Sequence, residues 1–254
     1  MSEGSVHYEL ADGVATIVMD RPEAKNALNR ALREGLWAAF RRFVAEDEAL
    51  VAVLASRGDV FCAGADLKEM AALGLRVPPP DFLPQLGRNL HTDKPVIAAV
   101  QGPAYAGGFA LAQMCDLCVA ADDARFAITE AKWSRGAPWA APLPWLIPPR
   151  VALELIVTAE PISAERAHQI GLVNRVVPRT RLLEEAQALA GVIAKNAPLS
   201  VRAAKRMVYA VAGASVASAL DEGDRVWESV YESEDAQEGP RAFREKRPPV
   251  WSGR

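Results

Sequence analysis

Short apolar runs separated by helical periodicity constrain this chain more than any other feature. Val51–Ala55 and Val96–Val100 read as short buried strands, and Leu117–Ala121 as a further strand. Before the first of them, Asn29 is placed to cap a helix whose apolar positions Leu32, Leu36, Phe40 and Val44 recur every four residues. Val14–Met19 is β-branched and apolar, so strand, helix and strand follow in order and predict a crossover unit of an α/β fold. Val6–Leu10 alternates apolar and polar residues, and Ala11-Asp12-Gly13 is a turn signal. The N-terminus therefore reads as a hairpin, closed by Arg21-Pro22.

The rest of the chain divides along the same lines. Leu67–Leu73 begins a helix, the Pro-rich stretch from Gly74 to Pro84 predicts an irregular surface loop, and Asp81–His91 reads as helical. Phe109–Met114 predicts a helix and Phe126–Ile128 a strand. Residues Trp133 to Pro149 hold three tryptophans and five prolines, which rules out one continuous helix. That stretch is either an apolar loop plugging the core or the wall of a ligand pocket. Ser163 caps a helix over Ala164–Ile170 that ends at Gly171, and Val173–Val177 is one more strand. Three long helices are expected around Thr180–Asn196, Leu199–Val211 and Val216–Glu234. The change from mixed α/β to all-helical pattern near residue 178 divides the chain into 1–177 and 178–254. No fixed-period repeat is visible.

Size and charge narrow the function classes. A chain of 254 residues, half of them hydrophobic, suits one large α/β domain or one domain with a helical appendage. The formal net charge is -3 and no basic run stands out, which speaks against a nucleic-acid partner. No apolar stretch approaches the roughly 18 residues of a membrane span, so no membrane partner is expected. Cys62, Cys115 and Cys118 do not form a disulfide framework, and a reduced, cytoplasmic protein is expected.

Two glycine-rich turns follow apolar strands: Phe61-Cys62-Ala63-Gly64-Ala65-Asp66 and Ala106-Gly107-Gly108-Phe109. Small residues let the backbone approach a ligand, and a helix start directs free N–H groups outward. Two such turns facing each other can hold a carbonyl oxygen between two donors, although each taken singly is also an ordinary strand-to-helix connection. Cys115-Asp116-Leu117-Cys118 has CxxC spacing but no second pair and no nearby histidine, so it reads as core packing. His7, His91 and His168 are isolated, and no metal site is expected. The sequence has no GxSxG, GxGxxG or GxxxxGK[ST], which removes the main support for nucleophile-elbow hydrolases, dinucleotide-binding folds and P-loop folds.

Ordered segments then resemble the enoyl-CoA hydratase/isomerase (crotonase) family over nearly the whole chain. They are Asp20-Arg21-Pro22 with Asn26-Ala27-Leu28, Phe61 through Met70, Lys94 through Gly102, Gly107-Gly108, Cys115-Asp116, Ala124-Arg125-Phe126 with Glu130, Ile162-Ser163-Ala164 through Val173, Ser233-Glu234-Asp235, and Gly239 through Arg247. The resemblance implies a crotonase-like ββα spiral with a C-terminal helical trimerisation region, and a homotrimer or dimer of trimers. It implies an acyl-CoA thioester as ligand, with coenzyme A part of the substrate and no separate cofactor. It implies that the N–H groups of Ala63 and Gly107 polarise the thioester carbonyl, that Ala63, Gly64, Ala65, Asp66, Leu67 and Gly107 contact the substrate, and that Asp66 and Leu67 border the adenine end. Lys25 and Lys68 are the phosphate neighbours it suggests.

One departure bears on the reaction. Family hydratases carry two catalytic glutamates, and the positions matching them here are Ala110 and Glu130. Hydration needs a held water and two proton movements, whereas one carboxylate suffices to take a proton from C2 and return it at C4. Glu130 alone therefore favours 3-enoyl-CoA to 2-enoyl-CoA isomerisation. A hydratase with a substitute acid among Tyr105, Asp116 and Arg135, and a non-catalytic acyl-CoA binder, are the alternatives. Without the resemblance, Glu130 reads first as a helix or loop carboxylate in a salt bridge.

Overall fold

The computed structural model describes residues 3–74 and 77–254. The predicted hairpin is β1 (Ser5–Ala11) and β2 (Val14–Asp20), joined by Asp12 and Gly13, both at positive φ. α1 (Arg30–Ala45) follows, its N-terminus capped by the Asn29 side chain on the Leu32 amide. Next come β3 (Val51–Ser56), α2 (Leu67–Ala72), β4 (Val96–Val100), β5 (Pro103–Tyr105) and α3 (Gly107–Met114). β6 (Leu117–Ala121) and β7 (Arg125–Ala127) lead into a 3-10 turn over Thr129–Trp133. α4 (Leu143–Leu146), α5 (Pro149–Thr158), β8 (Ile162–Ser163), α6 (Ala164–Gln169) and β9 (Arg175–Val177) complete the mixed part. α7 (Leu182–Ala194), α8 (Pro198–Ala210), α9 (Val216–Tyr231) and α10 (Glu234–Glu245) form the helical tail.

The strands make two sheets. The larger has six strands in the order β1-β2-β3-β4-β6-β9, parallel from β2 onward, and the smaller has the order β5-β7-β8. Parallel bridges between Leu28 and Ala65, and between Cys62 and Ala104, show the same short extended piece in the earlier passes. Each pass of the chain thus runs long strand, short extended piece, helix. The passes are β2, Leu28 and α1; β3, Cys62 to Ala65 and α2; β4, β5 and α3; and β6, β7 and the 3-10 turn. This is the ββα spiral. It leaves no period in the sequence, because the passes share backbone course and not side chains.

Burial explains the strand composition. In β3, Ala52 and Leu54 enter one core, while Val51, Val53 and Ala55 enter a second on the opposite face. The first face is covered by α1 through Leu32, Leu36, Phe40 and Phe43, all inaccessible to solvent; each such side chain contributes about 1.5–3 kcal/mol. The second face is covered by α7 through Leu182, Ala186 and Ala190. α7 lies beyond residue 178 yet packs as a layer of the sheet. α8 is tied to the spiral by polar contacts: Lys205 Nζ donates to Asp116 Oδ2 at 2.8 Å and to the Lys94 carbonyl at 2.9 Å, and Tyr209 Oη to Asp116 Oδ1 at 2.8 Å.

Three sequence expectations are corrected. Asp81–His91 is not a helix but a set of turns, organised by Asn89, whose side chain accepts from the Gln85 amide and donates to the Pro80 and Leu83 carbonyls. Pro84 and Gly87 within it are poor in a helix interior. Of the loop expected over Gly74 to Pro84, positions 75–76 lie outside the described residues. The last expected strand spans only Arg175–Val177. Finally, four helices follow β9, not three: Ser233 ends α9 and caps α10 on the Ala236 amide. Among the described residues no helix is long and apolar enough to cross a membrane.

Candidate active site

Three successive passes of the spiral bring one point of the repeat together. Ala65 precedes α2, Gly107 opens α3, and Glu130 lies in the 3-10 turn after β7. All three line a single cavity of about 480 Å³. Its other walls are mostly apolar and come from Ala63, Leu67, Met70, Phe82, Trp133 and Trp139, among others. The Val77–Pro80 segment closes one side, and Arg88 and Arg135 bring the cationic groups. Of the two readings of the Trp-rich stretch, the pocket wall applies to Trp133, Gly136, Pro138 and Trp139.

Glycine is required where the passes meet. Gly64 has φ +98°, and a Cβ there would lie 2.8 Å from Ala106 Cβ and 3.4 Å from Gly107 N. A Cβ on Gly108 would lie 2.2 Å from the Cys62 carbonyl oxygen. The two glycine-rich turns therefore pack directly against each other, with backbone facing backbone.

The donors exposed at this junction differ from those expected. The Ala63 N–H donates to the Lys25 carbonyl at 3.1 Å, so it is already engaged. Lys25 and Asn26 both have positive φ, and buried Asn26 anchors their turn by accepting from the Arg21 amide and donating to the Arg57 and Val60 carbonyls. Ala65 is placed otherwise. Its neighbours bond to Leu28 on one side, Gly64 through its carbonyl and Asp66 through its amide. The Ala65 N–H points the other way and has no acceptor among the described residues. A Cβ on Gly107 would sit 3.7 Å from Ala65 N, so the two amides are neighbours. Gly107 is the first residue of α3 and has no intrahelical acceptor for its N–H. The sequence motif contains both alanines; what separates them is a carbonyl far back in the chain.

Asp66, Gly64, Lys25 and Lys68 are not among the cavity walls. The Asp66 carboxylate accepts from Arg21 Nη1 at 2.8 Å and caps α2 through the Lys68 and Glu69 amides. Burial pushes its pKa up, but the guanidinium and the two amides outweigh that and hold it below the ordinary carboxylate value. Its side chain builds the turn. Leu67, Ala63 and Ala65 do line the cavity.

Glu130 is 9% exposed. Its Oε1 accepts from the Trp139 indole N–H at 3.2 Å, and its Oε2 is buried with no partner. Burial raises its pKa; its own backbone amide and the indole oppose this without cancelling it. Ala110 is buried in α3 and is not a cavity wall.

The proposed substitute acids are not equivalent. Asp116 accepts from Val96 N, Lys205 and Tyr209 away from the cavity, and Tyr105 is not one of its walls. Arg135 does line it, and its amide donates to the Glu130 carbonyl at 3.0 Å. All three cysteines are buried and unpaired, and burial pushes the Cys62 and Cys118 thiols up to about 12. Among the described residues no group of three or more His, Cys, Asp or Glu side chains converges.

The sequence model of the enoyl-CoA hydratase/isomerase family matches residues 9–254. The chain is 40% identical to a carnitinyl-CoA dehydratase of Salmonella typhi, over the full length of both. It superposes on the crystal structure of an enoyl-CoA hydratase from Mycobacterium tuberculosis H37Rv with a TM-score of 0.90 and 39% identity, covering 99% of this chain and 100% of that one. It also superposes on a probable enoyl-CoA hydratase/isomerase from Mycobacterium abscessus with a TM-score of 0.88 and 40% identity, covering both chains fully.

Proposed function

The chain belongs to the enoyl-CoA hydratase/isomerase family, and on that premise we propose that it is an enzyme that moves a proton at the α-carbon of an acyl-CoA thioester. Glu130 is the base, and the main-chain amides of Ala65 and Gly107 hold the thioester oxygen. The observation that carries this reading is that Glu130, whose buried Oε2 has no partner, lines the same cavity as Ala65 and Gly107.

The chemistry follows from the arrangement. Two N–H donors at the carbonyl oxygen stabilise the negative charge that develops when C2 loses its proton; one such donor is worth about 3 kcal/mol. Burial raises the proton affinity of Glu130 and so suits it to removing a weakly acidic C–H. With a 3-enoyl ester, the C2–H bond breaks, its electrons form a C2=C3 bond as the C3=C4 pair shifts to C4, and Glu130 returns the proton there. The double bond moves from position 3 to position 2 and no water is consumed.

A second reading is favoured by the names of the relatives, a dehydratase and hydratases. The same carboxylate removes the C2 proton of a 3-hydroxyacyl ester and hands it to the departing C3 hydroxyl, releasing water and leaving the 2-enoyl ester. The two readings share removal of the C2 proton; in the second the C3–O bond breaks, its electron pair leaving with the hydroxyl, and the proton goes to that oxygen and not to C4. We further propose that α8 to α10 form a homo-oligomer interface, supported by the exposure of Val208, Val216, Leu220, Tyr231 and Phe243. The unpaired, buried cysteines support a reducing, cytoplasmic setting.

The test is to incubate the protein in deuterated water with 3-hexenoyl-, 2-hexenoyl-, 3-hydroxyhexanoyl- and carnitinyl-CoA, and to follow products by mass spectrometry. Formation of 2-hexenoyl-CoA from the 3-enoyl ester, with or without deuterium, supports isomerisation, and interconversion of hydroxy and 2-enoyl esters supports hydro-lyase chemistry. Binding without any conversion or C2 exchange overturns both.

A further inference from the structure

We propose that Trp139 is a positioning residue for Glu130, holding one carboxylate oxygen so that the other alone meets the substrate. The inference rests on the reading of Glu130 as the base.

A lone carboxylate rotates about its terminal bond and can present either oxygen. Here the Trp139 indole donates to Oε1 at 3.2 Å, while buried Oε2 has no partner. One oxygen is thereby held and the other is left for chemistry. The indole has a single N–H, so it satisfies one oxygen and cannot reach around to the second.

Trp139 is itself held by the helix that presents the Gly107 amide. Its ring lies 5.7 Å from the Phe109 ring, centroid to centroid, with planes 39° apart. Gln113 Nε2 donates to the Trp139 carbonyl at 3.0 Å. Phe109 and Gln113 flank Ala110 on α3. Base, indole and oxyanion donor therefore form one connected frame: Glu130 to Trp139, Trp139 to α3, and α3 to the Gly107 N–H. The frame sets the distance between proton acceptor and thioester oxygen.

The indole also occupies a particular stretch of wall. Ala110 stands where family hydratases carry their other glutamate, and it does not reach the cavity. Trp139, packed on the adjacent Phe109, does. The cavity wall next to Glu130 is thus an apolar ring whose one polar group donates to Glu130.

The experiment compares wild type, Trp139→Phe and Glu130→Gln by C2 hydrogen–deuterium exchange of the hexenoyl- and hydroxyhexanoyl-CoA panel across pH. Phenylalanine keeps a ring and removes the N–H. The expected result is a kcat reduced about 10-fold with KM changed less than about 3-fold. The acid limb of the profile moves upward by about 1 in pH, since the N–H stabilises the carboxylate. A kcat and acid limb unchanged in Trp139→Phe, with Glu130→Gln inactive, overturn this inference alone. Full exchange by Glu130→Gln overturns the reading of the base itself. A further measurement does not depend on Trp139→Phe folding. In ¹⁵N-labelled wild type, one of the six tryptophan indole N–H signals should titrate with the midpoint of the acid limb, and that titration should vanish in Glu130→Gln. Absence of any indole signal with that midpoint also overturns the inference.

Discussion

The Asp66 carboxylate lies 2.8 Å from the Arg21 guanidinium, and both side chains are largely buried, at 14% and 8% exposure. The same Arg21 nitrogen donates to the Ala27 carbonyl. One guanidinium thus clamps the turn before Leu28 to the turn that carries Ala65. The Ala65 amide direction depends on that clamp.

Arg21→Met should therefore leave Asp66 charged and without its cation, at a cost of about 3–5 kcal/mol. A thermal melt should show the loss, and kcat should fall with it. Arg21→Lys should recover little of either, because an ammonium is more strongly hydrated than a guanidinium and costs more to bury beside Asp66. Equal stability of the Lys variant and wild type would contradict the clamp.

Replacing single backbone amides by esters separates the two alanines. An ester at residue 65 removes an N–H with no protein acceptor, so kcat should drop by about 10²–10³ with little change in melting temperature. An ester at residue 63 removes the bond to Lys25, so stability should fall by about 1 kcal/mol while kcat is better preserved. The reverse pattern would return the donor role to Ala63.

The pH dependence follows from the raised pKa of Glu130. A base must be deprotonated, so turnover should decline as pH falls through a value above the ordinary glutamate range near about 4.3. Glu130→Gln should abolish turnover and that limb together.

The same group predicts a stability effect. A carboxyl whose pKa is raised by folding binds its proton more tightly in the native state, so its contribution is present below the unfolded pKa and is lost as pH rises through the folded value. Glu130→Gln should therefore melt higher than wild type near pH 8, and the difference should shrink below about pH 4. Equal differences at both pH values would mean that folding does not raise the Glu130 pKa.

Phe243 is 87% exposed on α10, and Tyr231 is 73% exposed at the end of α9. Light scattering should give a mass that is a multiple of 27.3 kDa, and Phe243→Glu should lower it. A monomer in the wild type would remove the proposed interface.

Much of this protein is written locally. The hairpin turn at Asp12-Gly13, the Asn29 and Ser163 caps, and the apolar strands β3 and β4 follow from short stretches whose geometry their own residues specify. The glycine-rich turns were legible as motifs, and Glu130 through the resemblance to the family. The tertiary structure alone decided which alanine amide is free, because a carbonyl at Lys25 reaches Ala63 and not Ala65. It alone turned Asp66 inward to Arg21, made Asp81–His91 a loop around Asn89, and set Trp139 against Glu130. The physical reason is common to all of them. Periodicity and caps depend on neighbours within a few residues, whereas an amide or carboxylate takes its role from whatever donor or acceptor another pass of the spiral places beside it.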